Sequence, residues 1–204
     1  MSARPVSSGS TRMPAEARRE QLLDVTKAIV LERGGFHAVS IEGVARDAGI
    51  SRPIVYVHFD DLRGLLEALV AREGARALAQ LQEVLPPVLE GDRREALVAR
   101  LAAYLEAVRA DPDTWRLVLM PPEGAPRTLH EGIALGRAAL VTQLAEALGP
   151  GVDEGFQAPD PELAAHLLTA FADEAARLLL ADPERYPAER MLELARWFMG
   201  RLAP

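Results

Sequence analysis

The sequence predicts an all-α chain, divided into a small N-terminal three-helix unit and a larger helical body behind it. Two observations carry this. Apolar residues recur at helical spacing in segment after segment, and no alternating pattern runs long enough to make a sheet. Proline and glycine then cut the chain into helix-sized pieces, at Pro86–Pro87, Asp111–Pro112, Pro121–Pro126 and Gly149–Pro150–Gly151. The expected division is a disordered tail over 1–13, the three-helix unit over 14–60 and the body over 61–204. The tail is rich in Ser, Gly and Pro and reads as passive, although it carries Arg4 and Arg12.

The stretch Ser40 to Phe59, SIEGVARDAGISRPIVYVHF, is the most informative. Ile41, Val44, Ala45 and Ala48 fall at i, i+3, i+4 and i+7 and make one apolar helical face. Ser40 precedes them as an N-cap. Ala45 is small enough for two helices to cross closely. Gly49 stands where the chain must turn with positive φ, and Ile50 fits the angle between the helices. Ser51 is placed to cap a second helix, and Pro53 in its first turn lacks an N–H that would have no intrahelical partner anyway. Val55 and Phe59, at i and i+4, face inward. Arg52, Ile54, Tyr56 and His58 are then expected to project outward. The spacing is that of a helix-turn-helix, which lays its second helix in the DNA major groove. An ordinary helical corner shares part of it.

The body follows in order. Leu62, Leu65, Leu66, Leu69 and Val70 give an amphipathic helix over about 61–85, joining the two parts and able to transmit movement. The next runs over 92–110 with Leu97, Leu101, Tyr104, Leu105 and Val108 as its stripe, and a short apolar helix covers 114–120. Residues 127–148 are helical, with Ile133, Leu140, Leu144 and Leu148 inward. A Gly-, Pro- and acid-rich linker over 150–160 leads to two last helices, 161–181 and 187–202, each apolar on more than one side. A surface helix needs only one apolar stripe, so the last two are expected to form an interface with a second copy.

The surroundings of the helix-turn-helix resemble a known family. The run from Arg18 to Val70 looks like the N-terminal DNA-binding domain of TetR-family transcriptional regulators. Its marks are a first helix ending at Gly35–Phe36, Ser40, the Val44–Ala45 pair, Ala48–Gly49–Ile50–Ser51, and Tyr56-x-His58–Phe59. The resemblance implies a homodimer on a palindromic operator and a C-terminal domain for ligand binding and dimerisation. It implies release by a small, mostly apolar molecule and a repressor's role. There are departures. Pro53 and Ile54 stand where the family commonly has a small residue or Thr, and Val57 where it usually has an aromatic one. Leu62 replaces a phosphate-binding Lys behind Asp60 and Asp61, with Arg63 one position later as a substitute.

On this reading Arg52 and Ile54 reach base edges, where arginine suits guanine and an aliphatic group suits a thymine methyl. Tyr56 and His58 lie to one side, nearer phosphate oxygens, and Ser40 offers a hydroxyl to another phosphate. Ser51, Pro53 and Arg63 complete the DNA-facing set. Arg4 and Arg12 could let the tail touch DNA. Around a ligand the candidates are Tyr104, Trp115, Arg116, Met120, His130 and Phe171, large or adaptable side chains on the middle helices.

The formal net charge is −7, which argues against nucleic acid until it is divided. Residues 1–58 carry eight basic and six acidic side chains, whereas residues 59–204 carry fifteen and twenty-four. The acid thus lies behind the motif. Lys27 is the single lysine among 23 basic residues. Cysteine is absent, which removes disulfides, thiolate zinc sites and thiol nucleophiles. No apolar run approaches the ~20 residues of a membrane span, and the first residues lack a signal-peptide core. A cytoplasmic protein is expected. A constitutive or architectural DNA-binding protein without a ligand is one alternative, and an enzyme is the competing class. Glu162 and His166 share a helix face, but no second pair completes a di-metal site, and no phosphate-loop, dinucleotide, zinc-protease or nucleophile-elbow motif occurs. No catalytic residue, metal or cofactor is assigned.

Overall fold

The computed structural model describes residues 13–84, 92–149 and 158–201. Nine α-helices and no strand occur among them: α1 (Ala15–Glu32), α2 (Ile41–Asp47), α3 (Arg52–His58), α4 (Leu62–Val84), α5 (Arg93–Ala110), α6 (Pro112–Leu119), α7 (Arg127–Leu148), α8 (Pro161–Ala181) and α9 (Ala188–Arg201). A 3-10 turn at Phe36–Ala38 joins α1 to α2. The expected tail with Arg4 and Arg12, the stop at Pro86–Pro87 and most of the 150–160 linker lie outside the described residues. The chain forms two compact units divided within α4, between Leu69 and Val70.

The N-terminal unit is built around α1, α2 and α3, each packed on the other two. Leu22, Leu23, Ile29 and Val30 of α1 are buried with Val44 and Ala45 of α2 and with Val55 of α3. Phe36, Phe59, Leu65 and Leu69 are buried too. Thr26 is buried without a loose hydroxyl, because its Oγ1 donates to the Leu22 carbonyl at 2.7 Å. Arg33 reaches Asp47 at 2.7 Å and ties the end of α1 to the end of α2. The Arg19 guanidinium lies over the Phe59 ring, 4.9 Å from its centroid.

The second unit packs α8 against α7 and α5, with α9 against α5 and α6 against α8. One apolar cluster joins Leu101, Leu105 and Val108 of α5 to Trp115, Leu179 and Met191. A second joins Leu97 to Val141, Leu144 and Leu148 of α7 and Ala165 of α8. On α7 the buried phase differs from expectation. Leu144 and Leu148 are buried, but Leu129 and Val141 replace Ile133 and Leu140, which are half-buried. Several buried polar groups are paired across helices. The Thr114 hydroxyl donates to Glu73 at 2.5 Å, and Trp115 Nε1 donates to Gln80 at 2.8 Å. Tyr104 donates its hydroxyl to Asp173 at 3.3 Å, and Asp173 also pairs with Arg137. These bonds fix which face of α6 meets α4 and how α5 meets α8.

Candidate nucleic-acid interface

The turn between α2 and α3 is assembled from local chemistry. Ser40 is extended, with φ −139° and ψ 150°, and its Oγ accepts the Gly43 N–H at 3.1 Å. That is the expected cap. The hydroxyl hydrogen is still available to donate outward. At the other end of α2, Gly49 has φ +67°, and Ile50 N–H donates back to the Ala45 carbonyl at 2.9 Å. A residue with a Cβ is strained at that φ, which is why glycine stands there. Ile50 is half-buried. Ser51 is extended at the head of α3, but its side chain makes no capping bond, contrary to expectation. The tight entry is set instead by Pro53, whose ring fixes φ in the first turn.

Val55 and Phe59 are buried and define the inward face of α3. With about 100° per residue, the point opposite them is Val57, flanked by Pro53 and Ile54. Val57 is 78% exposed and Ile54 39%. Tyr56 is exposed toward one side of this face, and Arg52 is exposed at its start. His58 turns partly back toward the core and is half-buried, so it projects less than expected. Arg52 has no ion-pair partner among the described residues. Its neighbour in the turn, Arg46, is held by Asp47 at 3.1 Å. The outer surface of α3 is therefore apolar at its centre, with one unpaired guanidinium and one phenol at its margins.

Val57 was not among the expected DNA-facing residues. A β-branched apolar side chain beside Val55 reads as core, and only its angle from Val55 and Phe59 reveals its direction. Arg63 is less available than expected. Its Nε donates to Glu67 Oε1 at 2.8 Å, and that bond together with the carboxylate's charge raises the guanidinium's pKa. Asp61 caps α4 by accepting the Gly64 N–H at 2.7 Å.

The six ligand candidates do not come together. Tyr104 and Trp115 are buried in edge-to-face contact, centroids 5.2 Å apart, and Phe171 packs against the same cluster. Arg116 is exposed and paired with Asp113 at 3.0 Å. Met120 is exposed, and so is His130, whose ring nitrogen lies 3.3 Å from the Pro126 carbonyl. On α8, Leu163 and Leu167 face solvent, Leu167 at 63% exposure. On α9, Leu194, Trp197 and Phe198 are exposed, and the two aromatics meet edge to face at 5.0 Å.

Residues 22–69 match the family described as bacterial regulatory proteins, tetR family. The N-terminal unit is a TetR-family domain. The matched residues run from the middle of α1 to the first turns of α4. The HTH-type transcriptional activator FasR of Mycolicibacterium smegmatis is 29% identical over 107 residues, which are 52% of this chain and 48% of that protein. The match thus spans about half the length of this curated relative. A TetR-like regulator from Rhodococcus sp. RHA1 superposes with a TM-score of 0.73 at 23% identity, over 93% of this chain and 97% of the other. FadR of Bacillus subtilis, solved in complex with stearoyl-CoA, superposes with a TM-score of 0.62 at 16% identity, over 88% and 96%. The TetR-family domain is thus continued by a body with the fold of such regulators. The relatives are transcriptional regulators rather than enzymes. Among the described residues no helix is long and apolar enough to cross a membrane.

Proposed function

We propose that this chain is a ligand-responsive transcriptional regulator that binds a palindromic operator as a homodimer. The observation that carries the reading is the outer face of α3. It stands on a capped helix-turn-helix of the TetR family and offers Arg52, Ile54, Tyr56 and Val57 to a groove. Arg52 forks onto a guanine edge, the aliphatic groups pack on thymine methyls, and Tyr56, His58 and the Ser40 hydroxyl meet phosphates. Selection of bound sequences from a random duplex pool tests it. An inverted repeat is expected, and recovery of no defined sequence refutes the reading.

The homodimer is supported by the exposed apolar residues of α8 and α9. Two of them, Trp197 and Phe198, are the residue types that anchor interfaces. The effector is a mostly apolar small molecule held in the second unit. It acts by binding the DNA-incompetent state better than the competent one, which is all the coupling requires. The stearoyl-CoA held by B. subtilis FadR supports an effector with a long apolar part. The sign of regulation is repression, with effector releasing DNA. The FasR relative is named an activator, so a reporter gene behind the selected operator decides between the two signs.

A further inference from the structure

α5 carries a guanidinium that no group among the described residues answers. Arg93, Leu97, Arg100 and Tyr104 stand at i, i+4, i+7 and i+11, which places them on one stripe of the helix, within about 60° of arc. It is the inward stripe, since Arg93, Leu97 and Tyr104 are all buried. Leu97 belongs to the aliphatic cluster with α7, and Tyr104 to the cluster with Trp115. Arg100 lies one turn from each, between the two. Its Nη1 is buried and has no hydrogen-bond partner among the described residues. Burial pushes its pKa down, and no carboxylate counters that shift.

The helix supplies no counter-ion. The neighbours of Arg100 at three and four residues are Ala96, Leu97, Ala103 and Tyr104. Asp173 takes Tyr104 and Arg137, and Glu106 takes Arg109 at 2.7 Å. A buried guanidinium N–H without an acceptor is costly, and the cost is relieved by an oxyanion, to which arginine presents a planar fork.

We propose that the molecule bound by the second unit carries a carboxylate or phosphate and that Arg100 is the residue that binds it. The proposal rests on the small-molecule reading above and gives that molecule a charged end beside its apolar part. The apolar part meets the clusters around Leu97 and Tyr104. Arg100 is half-buried, and its buried Nη1 has no acceptor until the anion arrives.

Thermal unfolding of the full chain tests this, with wild type beside Arg100→Met, which keeps an apolar stem, and Arg127→Met as an exposed-arginine control. In chloride, Arg100→Met melts at or above wild type, whereas loss of a purely structural arginine lowers the midpoint. Inorganic phosphate replaces chloride at constant ionic strength in one arm, and decanoate is compared with decanol in the other. At ten times Kd a bound anion raises the wild-type midpoint by about 3 to 6 °C. That rise disappears in Arg100→Met and persists in Arg127→Met. A response to phosphate alone marks a phosphorylated molecule, and one to decanoate alone a carboxylate. No rise in wild type in either arm, or an equal rise in Arg100→Met, overturns the proposal. Selection of DNA by the wild-type chain is scored separately. If no defined sequence is recovered while the anion response holds, the regulator reading fails and the Arg100 site stands.

Discussion

Val57 is the residue through which the α3 surface is most directly questioned. It is 78% exposed and lies opposite the buried pair Val55 and Phe59. Val57→Ala removes two methyl groups from the centre of that face. The folded chain should not suffer, because an exposed substitution of this kind stays within about 0.5 kcal/mol and alanine is the better helix former. Against DNA the loss is larger. Each buried methyl contributes about 0.8 kcal/mol, so two contribute ~1.6 kcal/mol per half-site, or roughly fifteen-fold. A palindrome is read twice, which brings a dimer's loss to roughly two hundred-fold if both half-sites bury the side chain fully. Titration of the selected operator by fluorescence anisotropy measures it, with a melting curve as control. The complementary change is on the DNA. Uracil in place of the contacted thymine deletes one methyl and should cost about four-fold per half-site, and the cost should vanish in Val57→Ala. Operator affinity within two-fold of wild type for Val57→Ala, with no uracil substitution weakening binding, would show that the centre of this face does not meet bases.

Three further outcomes are expected. Leu167→Glu and Phe198→Glu should sediment as folded monomers. Leu168→Glu should instead lower the melting point, because Leu168 is half-buried against the Leu97 cluster. Arg52→Ala should relax preference at particular base pairs by roughly ten- to hundred-fold, whereas Tyr56→Phe should weaken all sequences alike and reduce the salt slope by about one. In alkali, Tyr104 should contribute a loss of stability. Burial first, then the charge of Asp173 and the bond to it, hold the Tyr104 phenol well above its ordinary value of 10.0. The unfolded phenol ionises first, so the contribution is full below pH 10 and is lost as pH rises beyond it. Tyr104→Phe should flatten that part of the stability profile in denaturant titrations between pH 9 and pH 11.

The helix boundaries were legible because the chain marks them with residues that have a single backbone use. Pro112 opens α6, Pro161 opens α8, and Gly49 closes α2 at a φ other residues avoid. Ser40 was legible for the same reason, and its bond to Gly43 is made as read. Less was legible wherever the outcome depended on direction. Ser51 and Ser40 look alike in sequence, but only one turns its hydroxyl to a backbone N–H. On α7 the buried stripe moved by one residue, from Leu140 to Val141, because both are apolar and the packing of α8 decides. The Arg63–Glu67 pair stands at i, i+4 in the sequence, and its ion pair competes with the phosphate contact expected of Arg63. Arg100 gave no sequence signal at all. An arginine in a helix reads as solvated, and its partial burial follows from the helices packed around α5.

α3 is seven residues long, and one of them, Val55, is buried. The frame that orients the helix lies outside it, in the Gly49 turn, the Ser40 cap and the ring of Phe59 under Arg19. Vocabulary and grammar are therefore written in different residues. On the proposed function, duplicated copies of such a gene can drift at positions 52, 54, 56 and 57 and address new promoters while the domain keeps its fold. A designer can do the same by exchanging that outer face alone.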